Sequence, residues 1–419
     1  MITDVDAWEV LDSRGNPTVR VAAHTASERG VFTVPSGAST GAHEVLERRD
    51  GEGRYDGRGV REAVRAVRQE LAPEVVGADP TDQRAIDARI EDCDGTDNLS
   101  RLGGNAVLGV SGAIVHLASN VRDEPLYETL ATETPGRLPR PMVNILSGGL
   151  HARGGVEIQD FLVVPRGATT YREALETAWA VRDAVRARIE ADGHRPLVAD
   201  EGGYAPPLDR IDDAFDLLEH SVRDAGFEPH RDDVAFAVDV AASHFYDAES
   251  ETYELSSVGR TLDRDELTDL VASWADRYPL VSVEDPLAED DWAGWQRLAT
   301  RLDGVQLLGD DLLVTDAARI ERAIETGAAN AVLVKPNQAG TITRAREAVV
   351  TARDVGLATV VSARSGETSD TTIADLAVGL DAGQIKIGSL ARSERLAKYN
   401  RLLEIDRELD TGLAADPIL

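Results

Sequence analysis

Six polar residues in the second half of the chain each lie at or near the end of a short apolar run. They supply three carboxylates and three cations: Asp239, Glu284, Asp310, Lys335, Arg364 and Lys386. An all-oxygen site of three carboxylates suits Mg²⁺, which prefers a few carboxylates together with water and substrate oxygens. The set predicts proton abstraction next to a carboxylate. Lys335 is the candidate base, Lys386 and the metal are expected to lower its pKa, and Glu201 is the candidate acid for a departing hydroxyl.

Lysine itself is rare in this chain. Of the 44 basic residues only Lys335, Lys386 and Lys398 are lysine, and the others are arginine. Arginine stays protonated, whereas lysine can lose its proton near neutral pH when it is desolvated or lies beside other cations. Lysines retained at two of the run ends therefore favour an acid–base role for these positions.

The apolar runs predict how these residues are positioned. The runs read AFAVD, PLVSVED, VQLLGDD, AVLVK, ATVVSAR and GQIKIG, and amphipathic helical patterns lie between them. Short Val-, Leu- and Ile-rich runs are typical of strands buried on both faces of a parallel sheet. Most recur at the spacing of one strand plus one helix, which indicates a β/α barrel with its chemistry at the C-terminal ends of the strands. One longer interval contains FYDAESETYELSS, which predicts an inserted hairpin.

The beginning of the chain predicts a separate α+β domain over residues 1–125. It contains a hairpin around a Gly-Asn-Pro turn, a third strand and then several helical patterns. Residues 35–44 form a loop of small residues that offers the hydroxyls of Ser36, Ser39 and Thr40 to a ligand. A plain surface turn fits the composition of this loop as well.

The barrel is expected over residues 140–419, and its first units carry further candidate site residues. Gly202 and Gly203 predict a tight turn at a strand end, which would present Glu201 at the mouth of the barrel. His151 lies between glycine-rich turns and can be read as a ligand, an acid or a core histidine.

Composition excludes several classes of protein. The net charge of −31 argues against a nucleic-acid partner, since no basic stripe is present to neutralise phosphates. No apolar run approaches the roughly 20 residues that span a bilayer, so no membrane segment is expected. A single cysteine, Cys93, argues against an intrachain disulfide framework. We therefore expect a cytoplasmic protein.

The acidic constellation has a structural alternative. Acidic residues make up 75 of the 419 positions, so carboxylates at strand ends can also be helix caps or salt bridges on a barrel rim. Arg364 and Ser365 suit an anion such as phosphate, because a guanidinium group can bind phosphate with two parallel hydrogen bonds. The alternative for Arg364 is an ion pair on the rim.

Short motifs along nearly the whole chain carry a family resemblance. They read LDSRGNPTV, PSGASTGAHE, DEGGYAP, DVAAS, VEDPL, GDDLLVT, VKPNQAGT, SARSGETSDT, IADLAVG, GQIKIG and RSERLAKYN. In this order they resemble the enolase family, in whose superfamily a Lys or His base works with one or two Mg²⁺ ions. The resemblance implies an N-terminal α+β capping domain and a β/α barrel with one antiparallel strand. It also implies a homodimer or homo-octamer.

The resemblance further implies a reaction and a set of roles. The reaction is the dehydration of a small phosphorylated three-carbon acid, 2-phosphoglycerate, to phosphoenolpyruvate in glycolysis, with Lys335 as base and Glu201 as acid. The first Mg²⁺ would be held by Asp239, Glu284 and Asp310, and the second would be reached by Ser39. The substrate would be held by Gln159, His151, Asp160, Arg364, Ser365 and Lys386.

Four positions depart from the family's motifs: Asp160, Ser147, His244 and Ala363. Ala363 stands where the family has a histidine near the substrate phosphate, and Asp160 stands where it has glutamate. These changes keep a second hypothesis open, namely an enolase paralogue such as carboxyphosphonoenolpyruvate synthase of phosphonate and phosphinate antibiotic pathways. A third hypothesis is a catalytically inactive scaffold, which the retained base, acid and metal ligands argue against.

Overall fold

The N-terminal part of the chain begins with an antiparallel sheet. The computed structural model describes residues 1–38, 40–132, 135–152, 155–409 and 411–415. The strands β1 (Asp4–Leu11), β2 (Pro17–His24) and β3 (Arg29–Thr33) pair in chain order. Gly15 has a φ of 75° in the turn between β1 and β2, where glycine carries no steric penalty. The hairpin predicted from the Gly-Asn-Pro turn is therefore confirmed.

Helices follow this sheet, and several of them pack against its strands. They are Arg61–Ala66, Val67–Leu71, Ala72–Val75, Gln83–Asp94, Gly104–Arg122 and Leu126–Leu130. The helix Gly104–Arg122 crosses β2 and β3 closely: a Cβ at Gly112 would lie 2.4 Å from the Phe32 ring. The glycine therefore allows the helix to lie directly on the sheet.

The remaining strands build the barrel and one small insertion. They are β4 (Arg140–Ser147), β5 (Asp160–Pro165), β6 (Val234–Asp239), β7 (Tyr246–Asp247), β8 (Thr252–Leu255), β9 (Arg260–Leu262), β10 (Leu280–Glu284), β11 (Gln306–Gly309), β12 (Ala331–Val334), β13 (Ala358–Ser362) and β14 (Gln384–Gly388). Within the described ranges, eight of them close a barrel in the order β4-β5-β6-β10-β11-β12-β13-β14. Among the described strands of the barrel, only β5 pairs antiparallel with both neighbours. The expected barrel with one antiparallel strand is confirmed.

Helices alternate with the barrel strands and cover them. They are Tyr171–Ala191, Ile211–Asp224, Arg264–Arg277, Trp292–Ala299, Ala317–Thr326, Pro336–Ala339, Ile342–Val355, Thr372–Gly379 and Ser393–Leu409. A small inner cluster that includes Met142, Val281 and Leu333 fills the barrel, and a larger core lies between strands and helices. Because the strands are buried on both faces, their sequences read as continuous apolar runs. No helix in the described parts of the chain is long and apolar enough to cross a membrane.

Two irregular segments test the sequence interpretation. The predicted hairpin after β6 is present and continues into a third strand, forming the small sheet β7-β8-β9. The strand predicted before Gly202 is wrong, because Val198 makes only an isolated bridge to Tyr204. Leu197 and Val198 are 64% and 47% exposed, so this apolar run lies outside the barrel core. Glu201 is therefore presented by a loop.

Candidate functional site

A narrow cleft opens at the C-terminal ends of the barrel strands. It is lined by Gly37, His151, Gln159, Asp160, Glu201, Asp239, Asp310, Asp311, Lys335, Ser362, Ala363, Arg364, Ser365 and Lys386. These include ten of the twelve site residues predicted from the sequence. Glu284 contacts the lining residue Lys386, and Ser39 lies outside the described residues.

Strand register brings the polar groups together. Glu284 and Asp239 end neighbouring parallel strands and are directly paired, and Ser362 is paired with Lys386 in the same way. Asp160 lies opposite Asp239 across the antiparallel pair of β5 and β6. Since parallel strands end at the same side of a barrel, residues far apart in sequence meet here.

Lys386 bridges two of the predicted metal ligands. Its Nζ donates hydrogen bonds of 2.8 Å to Asp239 Oδ2 and 2.6 Å to Glu284 Oε2. Burial acts to lower the pKa of Lys386, but the two carboxylates outweigh it and raise that pKa well above its usual value. Burial and the neighbouring Asp239 charge raise the pKa of Glu284. Glu284 Oε1 is buried without a hydrogen-bond partner among the described residues.

Lys335 forms an ion pair with Asp310 directly after β12. Its backbone N–H donates to Thr315 Oγ1 at 2.9 Å, which orients the start of the side chain. Burial acts to lower the pKa of Lys335, but the Asp310 carboxylate prevails over burial, Arg364 and Lys386 and raises it. Lys386 therefore acts to lower the pKa of Lys335, as expected from sequence, but Asp310 raises it by more.

Two groups of side chains bring possible metal ligands within 4.8 Å of one another in the described ranges. One is Asp285, Asp310 and Asp311, and the other is His151, Asp160 and Glu201. Asp239 and Glu284 belong to neither group, and one oxygen of each accepts a hydrogen bond from Lys386. The unpartnered Glu284 oxygen and the all-carboxylate donor set nevertheless fit a divalent cation, since hard cations take oxygen ligands.

His151 and Asp160 form a buried pair on one side of the cleft. His151 Nδ1 lies 3.3 Å from Asp160 Oδ2, and Asp160 Oδ1 accepts hydrogen bonds from Asn144 Nδ2 and Ser147 Oγ. Burial acts to lower the pKa of His151, but the Asp160 charge and then that of Glu201 raise it to about 10. The imidazole is therefore protonated at neutral pH.

Glu201 reaches the cleft from its loop and faces cations. Its Oε1 lies 3.8 Å from Arg395 Nη1. Burial acts to raise the pKa of Glu201, but Arg395 and His151 prevail and lower it. Ser389 N donates to the Glu201 carbonyl oxygen at 2.9 Å, so the backbone of the loop is tied to the chain that follows β14.

Gln159 is the remaining predicted substrate contact in the cleft. Its Nε2 donates to Asp239 Oδ2 at 3.1 Å, and its N–H donates to the carbonyl oxygen of the same residue at 3.0 Å. The carbonyl oxygen of the Gln159 amide, Oε1, is buried without a partner among the described residues. The Gln159 amide is therefore held against Asp239.

Ser365 meets the N-terminal loop at the mouth of the barrel. Ser365 Oγ accepts a 2.6 Å hydrogen bond from Ala38 N, and Ser36 pairs with Gly366 through backbone hydrogen bonds. The Ser36 hydroxyl donates to Glu47 and does not line the cleft. Thr40 is exposed.

The structure also brings in residues that sequence reasoning missed. Glu44 pairs with Arg364, Asn337 accepts from Arg364, and Gln338 donates to Asp310. Gln338 lies three residues after Lys335, a spacing that could have signalled a shared site. Nothing local distinguished Glu44 from the many other acidic residues.

Acids, lysines and an arginine around the mouth of a closed β/α barrel define an acid–base enzyme of this barrel class. The family model described as "Enolase, C-terminal TIM barrel domain" matches residues 136–415, and "Enolase, N-terminal domain" matches residues 2–130. The chain belongs to the enolase family. Two similar curated relatives are both named "Enolase". The relative from Acidothermus cellulolyticus is 50% identical and covers 100% of this chain and 98% of its own.

The second relative, from Thermococcus kodakarensis, is 46% identical over 99% of this chain and 96% of its own. Such similarity over the full length supports the hydro-lyase reaction of glycolysis, the dehydration of 2-phosphoglycerate to phosphoenolpyruvate. It does not favour the paralogue of phosphonate metabolism. Family membership also implies a divalent metal and a phosphorylated three-carbon substrate.

Proposed function

We propose that Lys335 and Glu201 carry the two proton transfers of this dehydration. Lys335 takes the proton next to the substrate carboxylate, and Glu201 gives a proton to the departing hydroxyl. The observation that carries the proposal is that both side chains line one cleft, close enough for Lys335 to influence the pKa of Glu201. A base and an acid on different elements can act on neighbouring carbons of one bound molecule.

The remaining cleft residues receive binding roles. Arg364 and Ser365 hold the phosphate, and Gln159, His151, Asp160 and Lys386 orient the rest of the substrate. Mg²⁺ is the cation we propose for Asp239, Glu284 and Asp310, with Ser39 serving a second ion. When bound, Mg²⁺ supplies positive charge that offsets the negative charge developing on the substrate carboxylate.

Both proton-transfer residues must change protonation state to work. Lys335 must be neutral to accept a proton. The pKa of Lys335 falls when the negative charge of Asp310 no longer acts on its amine. Glu201 must be protonated to act as an acid, although Arg395 and His151 lower its pKa. The negative charge of the substrate acts in the required direction on this carboxyl, because a nearby anion raises its pKa.

We also propose the domain bounds, compartment and assembly. The capping domain is residues 1–125 and the barrel domain is residues 140–419, with β4 beginning at Arg140. The single cysteine suits the cytoplasm, where thiols stay reduced. A homodimer or homo-octamer is the proposed assembly, and sedimentation velocity would test it directly.

The roles are tested by following phosphoenolpyruvate absorbance and the exchange of the substrate's carbon-bound hydrogen in D₂O. With Mg²⁺ and 2-phosphoglycerate, we expect turnover of roughly 1–10³ s⁻¹. Lys335→Ala should lose both turnover and exchange, because the first proton is never removed. Glu201→Gln should lose turnover but keep exchange. Exchange that survives in Lys335→Ala would remove the base role from this residue.

A second comparison tests whether Ala363 alters the reaction. Ala363 and Arg364 both line the cleft, and the Arg364 guanidinium group is already hydrogen-bonded to Glu44 and Asn337. We therefore expect Ala363→His to change the turnover of 2-phosphoglycerate by less than about threefold. A trace rate in the unmodified protein that rises strongly in this variant would reopen the paralogue hypothesis, and phosphonate substrates would then be screened.

A further inference from the structure

Glu44 holds the guanidinium group of Arg364 with two parallel hydrogen bonds. Arg364 Nη1 donates to Glu44 Oε2 at 2.9 Å, and Nη2 donates to Glu44 Oε1 at 3.2 Å. Both side chains are only 4% exposed. A two-pronged carboxylate pair fixes the plane of the guanidinium group as well as its position.

Glu44 is itself fixed by groups from two other segments. Its Oε1 accepts a 3.0 Å hydrogen bond from Gly41 N and a 3.2 Å hydrogen bond from Gln338 Nε2. Gln338 Nε2 also donates to Asp310 Oδ1 at 2.8 Å. The Glu44 carboxylate therefore joins the N-terminal domain, Arg364 and, through Gln338, Asp310 in one hydrogen-bond network.

Glu44 differs from Arg364 in its access to the cleft. Arg364 lines the cleft, whereas Glu44 is not among the described lining residues. Glu44 therefore lies behind the arginine and acts on a bound anion through it. Without Glu44, the hydrogen bond to Asn337 would remain, but the charge of Asp310, which already acts on the guanidinium group, would no longer be opposed by the Glu44 carboxylate.

We infer that Glu44 is a positioning residue that holds Arg364 in place for the phosphate group of the substrate. The inference rests on the proposed role of Arg364 in binding phosphate. A flexible arginine must lose side-chain freedom when it binds an anion, and a partner that has already fixed it reduces this cost. The effect belongs to substrate binding more than to proton transfer, since Glu44 does not reach the base or the acid.

The test measures inorganic phosphate binding by titration calorimetry, and KM and kcat for 2-phosphoglycerate, with the full-length protein and Mg²⁺. Glu44→Gln should weaken phosphate binding and raise KM by roughly tenfold while kcat changes by less than about threefold. Glu44→Asp, which keeps the charge, should recover part of the phosphate affinity. A kcat that falls while phosphate affinity stays unchanged would overturn the inference.

Two controls separate the loss of the Glu44–Arg364 contact from the loss of a negative charge and from misfolding. Glu47→Gln removes a nearby acid that bonds to Ser36 and Arg49, and it should leave phosphate affinity unchanged. An equal loss in Glu47→Gln would overturn the inference, because the effect would then be one of charge alone. Thermal unfolding of each variant identifies losses that come from misfolding. If Glu44→Gln misfolds, the phosphate affinity of Glu44→Asp is compared with that of the unmodified protein instead.

A double-mutant cycle shows whether Glu44 acts through Arg364. Arg364→Lys should weaken phosphate binding, and adding Glu44→Gln to it should cause little further loss. Equal losses from Glu44→Gln in both backgrounds would overturn the inference and leave the role of Arg364 intact. Phosphate affinity that is unchanged in Arg364→Lys would instead overturn the proposed role of Arg364.

Discussion

Lys386 donates a 2.6 Å hydrogen bond to Glu284, although both are buried and lie 102 residues apart. The amine occupies the space between two carboxylates that we propose as metal ligands. Lysine and metal are therefore alternative sources of positive charge for the same acids, and the stability of the protein should depend on both.

We expect Lys386→Met to lower the free energy of unfolding by about 3 kcal/mol in EDTA, because removing one partner leaves buried carboxylates unpaired. Added Mg²⁺ should raise the melting temperature of this variant more than that of the unmodified protein. Lys398→Met is a matched control, since Lys398 is also buried and pairs with Glu367. A similar Mg²⁺ response in both variants would contradict the prediction.

His151 should remain protonated across the physiological pH range. Burial acts to lower the pKa of His151, but neighbouring charges, mainly that of Asp160, raise it to about 10. NMR titration should show no change in the His151 ring resonances between pH 6 and 8, with His151→Gln used for assignment. Asp160→Asn removes the opposing charge, so the His151 pKa should fall and its resonances should titrate at lower pH. A His151 pKa near 6.5 in the unmodified protein would refute this.

Asp87 should make the protein less stable as the pH rises. Burial raises the pKa of Asp87 to about 6, although its carboxylate accepts hydrogen bonds from Thr343 N and Oγ1. The unfolded chain releases this proton near its usual pKa of 3.8, so stability present below that pH is lost as the pH rises toward 6. The loss amounts to about 3 kcal/mol.

Asp87→Asn cannot ionise, so its stability relative to the unmodified protein should rise by about this amount between pH 4 and pH 7. Urea unfolding at both pH values measures the difference. The exposed Asp92 lies on the same helix, and Asp92→Asn should show no such change. A constant difference between Asp87→Asn and the unmodified protein would show that Asp87 titrates alike in both states.

Asp285 should support metal binding without touching the metal. It has a φ of 41°, and its two carboxylate oxygens accept from Asp310 N at 3.0 Å and Asp311 N at 2.8 Å. Asp285→Ala leaves both N–H groups without this partner and loosens Asp310. We expect the affinity for Mg²⁺, measured by calorimetry, to fall about tenfold to a hundredfold. Asp290→Ala, a change at an exposed acid, should leave the affinity unchanged.

The strands were predictable because burial on both faces requires continuous runs of apolar residues, which are visible in the sequence. The runs ending near Asp239, Glu284 and Lys386 are all barrel strands, as predicted. The same criterion failed before Glu201, where an equally apolar run is exposed. Local composition describes what a segment can bury, but only the packing of the whole chain decides whether it is buried.

The sequence alone determined which acidic and basic groups meet at the mouth of the barrel, because a parallel barrel brings its strand ends to one side. Only the tertiary structure decided which of them are partners. Glu44 and Arg364 are 320 residues apart, and Asp310 raises the pKa of Lys335 by more than Lys386 lowers it, which the sequence did not predict. Electrostatic interactions depend on distance and burial in space, and neither can be read from positions along the chain.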